Sequence, residues 1–173
     1  MKASDQFNLP LKSLKEGTRV FTFRLDADFF QSFENKLIGD CNINQTVTVE
    51  KRSDLIILTF THQGYVFTDC DRCLEQIKLP VEGEKAFVVK FVDEPQEDED
   101  EILYFLHHDE RYDMSVLINE VVTLSLPMVK IYACENDPDA PCNPEVLKYL
   151  DQQNIDTQSS PVWDALKNLK LED

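Results

Sequence analysis

Glycine is scarce in this chain: Gly17, Gly39, Gly64 and Gly83 are the only four, and they are scattered. That excludes a Gly-rich phosphate cradle, which presents several backbone N–H groups from one tight loop. No G-x-S-x-G, H-E-x-x-H or protein-kinase signature occurs, so the common nucleophile, zinc-protease and phosphoryl-transfer constellations are missing. The expectation is a non-enzymatic protein. No apolar run approaches the roughly 18 residues of a membrane-crossing helix. The first residues, Met1 to Asn8, lack the apolar stretch of a secretory signal, so a cytoplasmic location is expected. Cations are few as well: 17 Lys and Arg face 33 Asp and Glu, for a formal net charge of −16. Such a surface repels nucleic acid unless its basic residues are segregated onto one face.

What is present suffices for a core, with 42% hydrophobic and 10% aromatic residues in 173. The texture predicts an α+β domain over residues 1–133 and a Cys- and Pro-containing loop with a helical tail over 134–173. Part of the acidity is concentrated in one block: Asp93, Glu94, Glu97, Asp98, Glu99, Asp100 and Glu101, interrupted by Pro95 and containing no apolar residue. Like charges at this density repel one another, so a solvated, mobile loop is expected. A calcium loop is disfavoured because the turn-forming Gly is absent. The alternative role is to attract a basic partner, through Glu97, Asp98, Glu99, Asp100 and Glu101.

Alternation of Phe21, Phe23 and Leu25 with Thr22 and Arg24 predicts a half-buried strand. Asp26 and Asp28 then cap a short helix carrying Phe29, Phe30, Phe33 and Leu37, closed by Gly39. Two β-branched runs, 46–50 and 55–61, flank a hairpin at Lys51-Arg52-Ser53-Asp54, with Gly64 marking a bulge. From Leu74 to Val92 the apolar residues Ile77, Leu79, Val81, Phe87, Val89 and Phe91 keep odd numbers across Gly83. Ile102 to Leu106 forms another short strand. Asp113 is placed to cap a helix whose face is Met114, Leu117, Ile118, Val121 and Val122, ending near Pro127. In the tail, Pro144 and Pro161 each open a helix at the first helical position. The fold class expected is α+β: a curved, mainly antiparallel sheet, open or barrel-like, with a few packing helices and a loosely attached helical tail.

Five cysteines occur. Cys70-Asp71-Arg72-Cys73 is a C-x₂-C pair between predicted strands, a spacing that lets two thiolates meet one metal ion. With Cys134 and Cys142 it would complete a tetrahedral zinc site; reduced, metal-free thiols are the competing reading. A redox centre is disfavoured because the motif leads into a strand, where no helix N-terminus lowers the thiol pKa. A structural disulfide is disfavoured in the cytosol. Cys41 reads as a packed thiol.

Three motifs arrive in one order: Cys70-Asp71-Arg72-Cys73-Leu74-Glu75, then Asp113-Met114-Ser115-Val116-Leu117-Ile118-Asn119-Glu120 running to Leu124-Ser125-Leu126-Pro127, and finally Pro161-Val162-Trp163-Asp164-Ala165-Leu166-Lys167. Together, over roughly residues 5–170, they resemble the YceD family, implicated in accumulation of large-subunit ribosomal RNA. The resemblance implies a ribosome-biogenesis role whose partner is large-subunit rRNA or a basic ribosomal protein. For RNA, the candidate contacts are Lys12, Lys15, Arg19, Lys51, Arg52 and Arg72, with Tyr65 and Phe67 as stacking platforms or sheet packing. The alternative is an acidic escort that holds a basic ribosomal protein without touching rRNA.

Overall fold

The structure, a computed structural model, describes residues 6–155 except 54, 135, 136 and 138. The tail helix expected around Val162, Trp163, Leu166 and Leu169 therefore lies outside the described residues. The chain divides into two compact units, Met1–Thr68 with Lys78–Lys130, and Asp69–Ile77 with Ile131–Asp173.

The first unit is built on a five-stranded sheet. Its strands are β2 (Gly17–Leu25), β3 (Cys41–Arg52), β4 (Leu55–Asp69), β5 (Gln76–Val92) and β6 (Ile102–Leu106), in that spatial order. A short pair, β1 (Asn8–Leu9) with β7 (Tyr112–Asp113), stands apart from it. The order leaves β2 and β6 as edges, so the sheet is open rather than a closed barrel. Strands β2, β3 and β4 pair antiparallel, with Arg52 opposite Leu55 closing a two-residue turn in which Ser53 has φ +48°. Alternation sends Ile43, Val47, Val49, Ile56, Leu58 and Phe60 to one face, where all six are buried. Each such side chain contributes about 1.5–3 kcal/mol by leaving water.

Strand β6 departs from the antiparallel pattern. It runs parallel to β5, Val88 opposite Ile102 through Val92 opposite Leu106. The acidic block is the crossover, returning from the end of β5 to the start of its neighbour. Alternation along β6 is blind to this, because strand direction is set by the path of the connection and not by the side-chain period.

Helix α2 (Ser115–Leu124) buries Leu117, Ile118, Val121 and Val122, with Met114 buried just before it. Asp113 does serve this helix, accepting the Ser115 N–H at 2.9 Å, while the N-cap position falls to Met114. Helix α1 is shorter than its aromatic spacing suggests. It spans Ala27–Gln31, capped by Asp26 through the Phe29 N–H. Glu34 then takes φ +54° and the Asn35 N–H returns to the Phe30 carbonyl, so the helix stops and Leu37 is left exposed. Gly39 closes no helix. The aromatic face is nonetheless packed: Phe29 meets Phe7, Phe30 and Phe33 at 5.0–5.3 Å between ring centroids. Gly64 makes no bulge. The β3–β4 register is unbroken there, and a Cβ on Gly64 would sit 2.2 Å from the Asn42 carbonyl oxygen. The glycine allows close backbone approach.

In the second unit, the turn at Cys70–Glu75 is closed by the Cys70 N–H on the Glu75 carbonyl. Leu74 there has φ +62°, so β5 starts at Gln76 and not at Leu74. Helix α3 (Pro144–Ile155) opens on Pro144, and Asn143 accepts the N–H groups of Glu145 and Val146. Its apolar residues Val146, Leu147 and Leu150 are half-buried.

Candidate partner-binding groove

An open groove of about 1010 Å³ lies in the first unit between α2, β5 and the crossover. Its floor is apolar: Phe87, Leu103, Leu117 and Val121 are buried, and Leu124 at the helix end is 85% exposed. The rim is acidic, with Glu84 from β5, Asp98 to Glu101 from the crossover and Glu120 from α2. Lys85 is the one Lys or Arg among the lining residues, and its Nζ is held by Glu101 at 2.8 Å.

The acidic crossover is exposed, as like charges require, but its second half is tied down. Asp98 accepts the Tyr104 N–H at 2.8 Å, Glu99 and Ile102 exchange backbone hydrogen bonds, and the Tyr104 hydroxyl donates to Glu99 at 3.0 Å. The charge density is felt locally. The bond to Glu99 pushes the Tyr104 phenol above its ordinary range. Burial, followed by the charges of Asp98, Glu120 and Asp113, pushes Tyr112 up to about 12. The hydrogen bond from Lys85 and its charge hold the Glu101 carboxyl below its usual value.

At the inner wall of the groove lies His62, 2% exposed, a residue that sequence reading passed over. Its signal was legible: Ile56, Leu58, Phe60 and His62 share one face of β4. The Ser125 hydroxyl donates to the Val122 carbonyl at 2.6 Å, so the 2.7 Å contact to His62 Nε2 makes the ring N–H the donor. That leaves Nδ1 as a buried acceptor without a partner, and burial lowers the pKa of the ring. Gly83 faces this ring; a Cβ there would lie 2.8 Å from His62 Cε1.

The basic candidates are divided. Lys51 donates to the Leu14 carbonyl at 3.0 Å, which brings it beside Lys15 at one end of β2 and β3. Glu16 and Glu50 occupy the same end: Glu16 accepts the Ser53 N–H, and Glu50 pairs with Arg52 at 3.0 Å. The cations there are interleaved with carboxylates. Arg19 stands opposite Val49 on β2, half-buried. Lys12 lies in the 3₁₀ turn Leu11–Ser13. Arg72 belongs to the second unit. On the outward face of β4, Tyr65 and Phe67 meet edge-on at 5.6 Å, and Lys78 lies 3.8 Å above the Tyr65 ring.

Among the cysteines, Cys134 and Cys142 are joined in a disulfide with Cα atoms 6.2 Å apart. Cys41, Cys70 and Cys73 are free thiols, the last two buried. Burial, with help from Asp26 and Asp40, pushes the Cys41 thiol up to about 11 and so keeps it inert. Among the described residues no three His, Cys, Asp or Glu side chains are gathered as a metal-holding group. Among them, too, no helix is long and apolar enough to cross a membrane.

No curated protein and no solved structure matches the chain. The family described as "Large ribosomal RNA subunit accumulation protein YceD" matches residues 58–170, from the first part of β4 onward, the cysteine turn and the groove residues included. The chain belongs to the YceD family.

Proposed function

We propose that this chain is a non-enzymatic cytoplasmic factor that supports accumulation of large-subunit rRNA by binding a basic ribosomal protein in the acidic groove. The observation that supports this reading is the pairing of an apolar floor with a carboxylate rim around one concavity. Lys and Arg side chains suit such a surface, their methylene stems lying on Phe87 and Leu124 while their heads meet carboxylates. Phosphate would be repelled there. A masked ribosomal protein is kept from aggregating or binding RNA wrongly until the subunit takes it, and rRNA that lacks its proteins is not retained.

A second reading concerns RNA contact elsewhere. The Tyr65–Phe67 pair, with Lys78 over one ring, offers a stacking surface on the outward face of β4.

The two are separated by complementation in cells depleted of the protein. The triple variant Glu84→Gln, Asp100→Asn, Glu120→Gln should fail to restore large-subunit rRNA, while Tyr65→Ala with Phe67→Ala should restore it. The opposite pattern would move the function from the groove to the sheet face.

A further inference from the structure

Helix α2 carries more surface than the acidic groove uses. Leu117 and Val121 line the groove and Ile118 and Val122 are buried beneath, which leaves Asn119 and Thr123 on a third face. Against that face lies a second, smaller hollow of about 360 Å³, walled by Phe33, Asn35, Asn119, Glu120, Thr123 and Leu124. Glu120 and Leu124, one helical turn apart, border both spaces. They form the ridge between two hollows, so a chain lying in the groove reaches the second one by crossing Leu124.

The segment that ends α1 builds this second hollow. Glu34 takes φ +54°, a left-handed conformation unfavourable for glutamate, with its side chain exposed. The turn sets Asn35 against α2, where its Nδ2 donates to Asn119 Oδ1 at 2.9 Å and to Thr123 Oγ1 at 2.8 Å. Asn35 Oδ1 accepts the Leu37 N–H at 2.9 Å, and the Thr123 hydroxyl donates to the Asn119 carbonyl at 2.7 Å. The polar groups of Asn35 and Thr123 are thus occupied by one another and by the backbone. What remains for an occupant is the Phe33 ring, held by Phe29 at 5.3 Å, the Thr123 methyl and the uncovered Leu124. An apolar side chain suits such walls, and Glu120 on the ridge suits a cation next to it in sequence.

Charge alone selects poorly among basic proteins. A carboxylate rim attracts any polycation, and attraction between exposed charges fades as salt screens it. An apolar anchor in a preformed hollow adds discrimination that screening does not remove.

We propose that the basic client carries a large apolar side chain, phenylalanine or leucine in size, directly beside its Lys and Arg cluster. That side chain enters the hollow between Phe33 and Leu124 while the basic residues occupy the acidic groove. This two-point recognition rests on the groove holding a basic protein and adds the second determinant by which the partner is chosen.

Two blocked peptides separate the parts: hexalysine flanked at each end by glycine, and hexalysine flanked at each end by phenylalanine. The full chain is titrated with each at about 0.15 M salt, and its ¹H–¹⁵N spectrum follows the Asn35 and Asn119 side-chain amides. The phenylalanine peptide should bind at least about tenfold tighter, the gain expected from burying one large apolar side chain. It alone should move the two amide signals. Thr123→Phe fills the hollow from α2 and leaves every groove residue in place, so it should abolish the gain and keep the affinity for the glycine peptide. Equal affinities for the two peptides, or a gain that leaves both amides unmoved, would overturn the anchor and leave the groove standing. Failure of both peptides to bind would overturn the groove reading and the anchor with it. Because the wild-type chain alone gives the affinities and the amide shifts, a variant that fails to fold leaves the test intact.

Discussion

His62 lies against the acidic groove with its Nε2–H given to Ser125 and its Nδ1 unpartnered, and burial favours the neutral ring. Its folded pKa is therefore below the unfolded value of about 6.5, so the unfolded chain binds the extra proton first. The contribution to stability is present at neutral pH and is lost as pH falls below about 6.5. Glu84 and Glu120 line the same groove. Thermal melts of wild type and His62→Phe between pH 7.5 and 5.5 should show the wild type losing more melting temperature; equal losses would show that His62 does not titrate differently on folding. At Leu74 the prediction runs the other way. Leu74→Gly removes the left-handed strain at an exposed position and should stabilise the chain by about 0.5–1 kcal/mol, read from urea unfolding. The inward direction of His62 was available from alternation along β4; its partner Ser125 was not, because nothing local in a sequence pairs positions 63 apart. The strain at Leu74 was invisible for a different reason: leucine carries no turn signal, and only the geometry around Cys70 demands one.

Elements were legible wherever side-chain period decides them. The inward faces of β3, β4, β5 and α2 follow from spacing alone, as does the start of α3 at Pro144. Three features followed backbone path instead. Helix α1 stops where Glu34 turns left-handed, β6 joins the sheet parallel, and Gly64 sits in an unbroken strand. Gly64→Ala tests the last point. Its Cβ would meet Asn42 O at 2.2 Å and Ile43 Cα at 2.6 Å, backbone atoms that cannot swing aside. The expected loss is about 3 kcal/mol in urea unfolding; a loss near zero would mean the two strands separate there at little cost. The crossover also constrains how the acidic segment can be probed. Deleting Glu97–Glu101 would remove the Asp98 acceptor for Tyr104 and the Glu101 carbonyl that receives the Val88 N–H, detaching β6 along with the charge. Neutralising Glu84, Asp100 and Glu120 instead removes rim charge and spares those two bonds.

For the whole molecule, a net charge of −16 first argues against nucleic acid. The structure gives part of that charge a location, since six carboxylates border one groove, while Lys15, Lys51 and Arg52 share their end of the sheet with Glu16 and Glu50. A basic protein client should therefore associate quickly at low salt, with the association rate falling at least about tenfold between 0.05 and 0.5 M salt as the Debye length shrinks. The most direct measurement is capture of large-subunit ribosomal proteins from RNase-treated lysate on the wild-type chain and on the Glu84→Gln, Asp100→Asn, Glu120→Gln variant, with protein and RNA quantified separately. The groove account predicts a basic large-subunit protein that stays bound to wild type after RNase and drops at least tenfold on the variant. Loss of that protein from wild type on RNase treatment, or equal recovery by the variant, would contradict it.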